Sequence, residues 1–271
     1  MSTSTQYGID ISEQIKLFAE IGFDAFFTGW NRELSVPELV KTAREYNMIY
    51  QSIHAPFGKS AHMWGEDKVK GDIALDELTA CLECCCENEV PIMIAHAFLG
   101  FEEHNPTQSG IERFGALVRR AEECGVKIAF ENTEGEEYLE ALMDNFSGSP
   151  AVGFCWDCGH EMCYNHSRDW LGIYGDRLIA THLNDNLGIR DYNGNITFID
   201  DLHLLPFDGI ADWDDIASRL VRCGFDDTLT FELNTQSKPG RRENDIYAAM
   251  PFEQYATEAY KRACRFASKM H

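Results

Sequence analysis

Short apolar runs alternate along this chain with longer stretches in which apolar residues return every three or four positions. A short run bounded by polar or glycine positions predicts a strand, and the wider spacing predicts an amphipathic helix. Eight runs of the first kind occur, at residues 6–9, 25–28, 50–54, 91–96, 126–131, 152–157, 178–183 and 228–232. Between them, Ile111, Phe114, Leu117, Val118 and Ala121 share one helical face, and Trp213, Ile216, Ala217, Leu220 and Val221 share another. A third runs through Phe252, Tyr255, Ala256, Ala259, Tyr260, Ala263 and Phe266. Gly22, Gly125 and Gly224 follow helical stretches and precede apolar runs, which predicts helix C-terminal caps.

Eight strand–helix repeats fill the 271 residues, and no Pro- or Ser-rich linker divides them. That predicts one α/β domain over residues 1–271, a (β/α)8 TIM barrel. A doubly wound open sheet is the alternative, but no G-x-G-x-x-G or G-x-x-x-x-G-K-[ST] motif follows an early strand.

Composition narrows the function. With 23 basic and 45 acidic side chains the net charge is −22, and the longest Lys/Arg run is Arg241-Arg242. Such a surface repels a polyanion, so no nucleic-acid partner is expected. No apolar stretch reaches the roughly 18 residues a membrane span needs. The first residues carry no export pattern, so the expected location is the cytoplasm. Ten cysteines in a chain of this size are then expected to be reduced thiols. The cluster Cys81, Cys84, Cys85, Cys86 lacks a second ligand pair at zinc-finger spacing, and the C-x-x-C of Cys155 and Cys158 begins inside a strand rather than at a helix start.

The chemistry collects at strand ends. His54, His96, Glu131, Asp157, His182 and Glu232 each close a predicted strand, and in a barrel all such ends meet on the catalytic face. His160, three residues after Asp157, and the pair Asp201 and His203 bring five of the nine histidines to that rim. His62, His104, His166 and His271 have no such placement and are ordinary polar positions. Glu, Asp and His together suit Mn²⁺, Co²⁺, Fe²⁺ or Zn²⁺; Mg²⁺ is a harder alternative that usually dispenses with imidazole. Two glutamates, one aspartate and one histidine neutralise a single divalent ion and leave positions for a substrate chelating through two oxygens.

With Glu131, Asp157-x-x-His160, His182-Leu-Asn-Asp185, Asp201-x-His203 and Glu232 at successive strand ends, the chain resembles the xylose-isomerase-like superfamily: sugar isomerases and epimerases, inosose dehydratases and endonuclease-IV-type repair enzymes. The resemblance implies metal ligation by Glu131, Asp157, His182 and Glu232. In an epimerase or isomerase, Glu131 and Glu232 would also move the proton, one from each face of the sugar, through an enediolate. It further implies a substrate contact from Glu137. The ketose 3-epimerases carry an arginine six residues after the histidine ligand; here that position is Gly188, and Arg190 is the substitute.

The repair nucleases of the superfamily use three zinc ions and a longer ligand set, which His54, His96, Glu131, Asp157, His160, His182, Asp201, His203 and Glu232 match in full. The ligand set therefore favours a phosphodiesterase. The charge favours a small sugar, polyol or sugar phosphate, because the loops near the site are acidic (Gly65-Glu66-Asp67, Glu102-Glu103-His104-Asn105, Glu134-Gly135-Glu136-Glu137). In sugar-acting members His54, His96, His160, Asp201 and His203 would serve substrate or a further metal. The expected activity is thus metal-dependent sugar isomerisation or epimerisation; an endonuclease-IV-like phosphodiesterase and an inosose-dehydratase-like lyase are the alternatives. Lys238, Arg241 and Arg242 are the candidate phosphate clamp, and Trp30 and Trp64 the candidate apolar walls. Substrate identity and assembly into a homo-oligomer stay open.

Overall fold

A computed structural model describes residues 1–4, 6–101, 105–190 and 196–270. Glu102, Glu103, His104 and His271 of the sequence reading lie outside the described residues. In chain order the elements are α1 (Ile11–Ile21), β1 (Ala25–Gly29), α2 (Val36–Glu45), β2 (Ile49–His54), α3 (Ser60–Trp64), α4 (Lys68–Glu87), β3 (Ile92–His96), α5 (Gln108–Cys124) and β4 (Lys127–Glu131). Then follow α6 (Glu136–Asn145), β5 (Val152–Asp157), α7 (Cys158–Cys163), α8 (Trp170–Tyr174), β6 (Leu178–His182), α9 (Trp213–Arg222), α10 (Asp245–Ala248) and α11 (Phe252–Ala267).

The six strands pair in parallel, each with its chain neighbour. Two shorter segments complete the ring: Ser2 bridges Phe27 on one edge, Phe231 bridges Leu183 on the other, and Ser2 N donates to Phe231 O at 3.0 Å. The chain is therefore the expected eight-membered parallel barrel, with two of its members reduced to single bridges.

The segment expected as the first strand, residues 6–9, is not one. Met1 to Thr3 takes that place, with Phe27 N donating to Met1 O and Thr3 N to Phe27 O. Residues 6–9 instead turn through Gly8, at φ 64°, into α1, whose start Asp10 caps by accepting from Ser12 N. Gly22, Gly125 and Gly224 do end their helices with φ of 118°, 69° and 68°. Val221, assigned to the buried face of α9, is 52% exposed; Trp213, Ile216, Ala217 and Leu220 are the buried ones.

Alternation along the strands decides what faces the barrel axis. Ile92, Ile94, Ala129, Cys155 and Ala180 form a separate interior cluster, while Met93, Ala95, Ile128, Phe130, Phe154 and Trp156 pack outward under the helices. Two residues beyond Ile94, Ala129, Cys155 and Ala180 come His96, Glu131, Asp157 and His182. The same periodicity that fills the barrel with small side chains aims these four at its C-terminal mouth. Register then pairs His96 with Glu131 and Asp157 with His182. Among the described residues no helix is long and apolar enough to cross a membrane.

Candidate metal and substrate site

Nine candidates named from the sequence converge at the barrel mouth: His54, His96, Glu131, Asp157, His160, His182, Asp201, His203 and Glu232. Glu131, Asp157 and His182 are fully buried, and Glu232 keeps about a quarter of its side chain exposed. Nδ1 of His182 lies 3.0 Å from Glu131 Oε1 and 3.1 Å from Glu232 Oε2. Its ring stacks on Phe27, at 4.7 Å and 14°. Glu131 is the hub. Its Oε2 faces His54 Nε2 and His96 Nε2, both at 3.3 Å, and Oε1 faces His160 Nδ1 at 3.4 Å.

Backbone carbonyls set several ring orientations. A carbonyl only accepts, so His54 Nδ1 donates to Ala55 O, His160 Nδ1 to Asn132 O and His203 Nδ1 to Glu232 O, leaving each Nε2 directed at a carboxylate. Asn184 donates its amide to both oxygens of Asp157, at 3.1 and 2.8 Å, and Asp157 Oδ1 also accepts from His160 N at 2.7 Å. Asn132 extends the strand ladder with its side chain, accepting from Asp157 N and donating to Asp157 O.

Electrostatics follow from this packing. Burial works against the charge on Glu131, yet His182, His160 and His54 hold its carboxyl well below the usual range. Burial likewise opposes Glu232, and His182 still brings it down to about 2. Asp157 goes the other way: burial, with Glu131 and Glu232 nearby, lifts it to about 6 against the pull of His160 and His203. Burial disfavours the imidazolium of His182, but Glu232 and Glu131 hold its pKa well above normal. Asp201 similarly raises His203 to about 9 against burial. His96, with Glu131 only partly offsetting burial, is lowered.

This donor set fits a divalent cation. Glu131, Asp157, His182 and Glu232 each offer one ligand atom within 4.8 Å of all the others. Glu131 Oε2 and His182 Nε2 are buried without a hydrogen bond. Three carboxylates crowded around one imidazole lack a compensating positive charge of their own, and protons on the histidines supply it in the bare chain.

A cavity of about 280 Å³ opens over this floor. Glu232, His54, His96, His160, Asp201 and His203 reach it, while Glu131 lies beneath. Not all the residues named from the sequence reach the described lining. Glu137 sits exposed on α6, outside the described cavity lining; Glu134, in the loop between β4 and α6, lines it and accepts from Gly100 N. Arg190 is exposed, with Nε 3.7 Å from Asp200 Oδ1, rather than in the cavity. An arginine at position 188 would be strained, since Gly188 has φ 71°. Trp64 is buried and donates Nε1 to Ala97 O, and Trp30 packs half-buried against the core. The aromatic walls are instead Phe57, Phe101, Phe198 and Tyr164.

Among the described residues no phosphate clamp assembles: Lys238 faces Asp201, Arg241 pairs with Glu243, and Arg242 is exposed. Asp185 of the His182 motif organises the loop before α9, accepting from Phe207 N, Ala211 N and Trp213 Nε1. The ten cysteines are free thiols; Cys158 of the C-x-x-C donates to Asn184 O at 3.1 Å, bracing the residue that holds Asp157. Asn184→Leu removes that support and is expected to weaken divalent-metal affinity by about 10–100-fold, read by metal titration. Unchanged affinity would remove Asn184 from this role.

Residues 15–269 match the model of the family described as xylose isomerase-like TIM barrel. The chain belongs to that family. A curated relative, the uncharacterized protein y4fM of Sinorhizobium fredii (strain NBRC 101917 / NGR234), is 39% identical over 116 residues, covering 41% of this chain and 34% of its own length. Among solved structures, a xylose isomerase-like TIM barrel/4-hydroxyphenylpyruvate dioxygenase fusion protein superposes with TM-score 0.76 at 15% identity, covering 99% of this chain and 42% of the other. The chain thus spans well under half of both these proteins. The IOLI protein with a bound zinc atom gives TM-score 0.75 at 19% identity, over 97% of this chain and 95% of the other. A D-tagatose 3-epimerase-like protein gives 0.72 at 18% identity, over 99% and 97%.

Proposed function

We propose that this family member is a divalent-metal-dependent isomerase or epimerase of a small sugar or polyol. The observation that carries the reading is the group Glu131, Asp157, His182 and Glu232 at the mouth of a closed barrel, with one glutamate open to a cavity of sugar size. The zinc in the IOLI structure and the likeness to a D-tagatose 3-epimerase-like protein support it. A cation held by these four residues would polarise a substrate carbonyl and make the neighbouring C–H more acidic.

The chain's own groups supply the rest. Glu232, ionised at neutral pH and facing the cavity, removes or returns the proton on carbon. Glu131 is assigned the opposite face, from beneath the floor. His54, His96, His160 and His203 line the cavity and are assigned to substrate hydroxyls, which would take the place of the carboxylates that their Nε2 atoms now face. Phe57, Phe101, Phe198 and Tyr164 exclude water and pack against the C–H face of a sugar.

A second reading, an endonuclease-IV-like phosphodiesterase, draws on one observation: all nine residues matching the longer ligand set gather here. Against it stand the charge of −22 and the lining, where among described residues Lys238 is the one Lys or Arg. Metal analysis of purified protein separates the two. About one equivalent per chain fits the isomerase, close to three zinc ions fit the phosphodiesterase, and none overturns both.

Metal uptake carries a proton signature. Glu232 and Glu131 favour the protonated form of His182, so ligation is expected to expel a proton and give a binding enthalpy that varies with the buffer's ionisation enthalpy. Asp157 ligates as carboxylate, so affinity is expected to fall as pH drops through about 6. Calorimetry showing no proton release and no loss of affinity at lower pH would contradict this ligand set.

A further inference from the structure

Positive charge is unevenly spread around the site. Lys238 Nζ lies 3.3 Å from Asp201 Oδ2, and its side chain is only 17% exposed. The same oxygen takes His203 Nε2 at 3.0 Å, while Asp201 Oδ1 faces His160 Nε2 at 3.5 Å and makes no hydrogen bond. His160 and His203 also form, with Asp157, a second group whose ligand atoms fall within 4.8 Å of one another. A divalent ion there would lie beside Asp201, the carboxylate that His160 and His203 both face, and that carboxylate already faces an ammonium.

The lysine is held in place by its loop. Asn244, almost fully buried, donates Nδ2 to Leu202 O and Gln236 O, and its N–H donates to Ser237 Oγ. Ser237 Oγ in turn donates to Asp245, and Arg241 N closes a turn on Lys238 O. These bonds tie the segment carrying Lys238 to the strip carrying Asp201 and His203, so the pairing does not depend on a free surface chain. An ammonium is a compact point charge, and two cations beside one buried carboxylate repel strongly where the dielectric is low.

We propose that Lys238 is a built-in cation for this side of the site: it keeps divalent metal out of the Asp157, His160 and His203 group and confines it to Glu131, Asp157, His182 and Glu232. The inference rests on the metal-dependent reading above. It also explains how a chain bearing the nine-residue set can work with a partly filled one. One Lys238 donor serves Asp201, and the remaining two are available to a substrate hydroxyl.

The test is the metal content of the whole chain after saturation with Zn²⁺ or Mn²⁺ and desalting, alongside a circular dichroism spectrum for each variant. Lys238→Met keeps the length and removes the charge, and is expected to hold about one more ion per chain than wild type. Lys238→Arg retains a cation and the wild-type count, and adding His203→Ala to Lys238→Met abolishes the gain. If Lys238→Met does not fold, Lys238→Gln carries the same expectation. Equal metal content in wild type and the charge-removed variant overturns the inference and leaves the proposed function intact. No metal in any of them overturns both.

Discussion

Glu232→Gln is expected to lower proton exchange at the substrate carbon by about 10²–10⁴-fold, while the protein folds normally and still takes up metal. The neighbours of Glu232 explain why it is the more telling of the two glutamates. Its backbone N–H donates to Leu183 O, locking the strand end, so the side chain's position does not depend on its charge. Its carboxyl opens to the cavity and is held ionised by His182, the state a base needs. Glutamine keeps the size and an oxygen for a metal but cannot carry a proton. Glu131 is a poorer probe because it lies among His54, His96, His160 and His182, and its replacement would disturb the whole floor. Wild-type exchange in Glu232→Gln would remove Glu232 from proton transfer.

The second large effect is on stability. Glu161→Ala is expected to destabilise the fold by about 3–5 kcal/mol, measured by chemical denaturation. Glu161 is buried on α7, next to His160, and its carboxylate accepts from both terminal nitrogens of Arg219, at 2.6 and 2.9 Å, from Trp156 Nε1 and from Trp170 N. Arg219 is only 11% exposed and lies over the Trp156 ring. Removing the carboxylate strands a mostly buried guanidinium, with the exposed Asp169 its remaining carboxylate among the described residues, and leaves the buried Trp156 Nε1 unpaired, while Trp170 N keeps Arg168 O. Replacing both partners, Glu161→Leu with Arg219→Met, is expected to recover much of the loss. A loss below about 1 kcal/mol for the single variant would show that water replaces these bonds.

Much of the floor was legible in the sequence because it depends on local periodicity. Once Ile94 and Ala129 point inward, His96 and Glu131 two residues later must also do so, and the same rule places Asp157 and His182. The first barrel member was not legible because Met1 to Thr3 pairs through only a few backbone bonds and has no apolar alternation to betray it. Glu137 is assigned by its spacing from Glu131, but it lies exposed in the first turn of α6, while Glu134, in the loop before that helix, lines the cavity. The Phe57, Phe101 and Phe198 walls come from three different loops, and such long-range convergence leaves no periodic trace. Asp185 looked like part of a ligand motif and is instead the anchor of the loop before α9, a role set by donors more than twenty residues away.

The central claim is proton transfer at a sugar carbon by a metal-loaded site, and solvent isotope exchange tests it most directly. Metal-saturated protein incubated with a panel of ketoses in D₂O is expected to place deuterium at a carbon next to the carbonyl of at least one of them, and chelation is expected to stop the exchange. No deuterium in any ketose from protein shown to hold its metal would contradict the account.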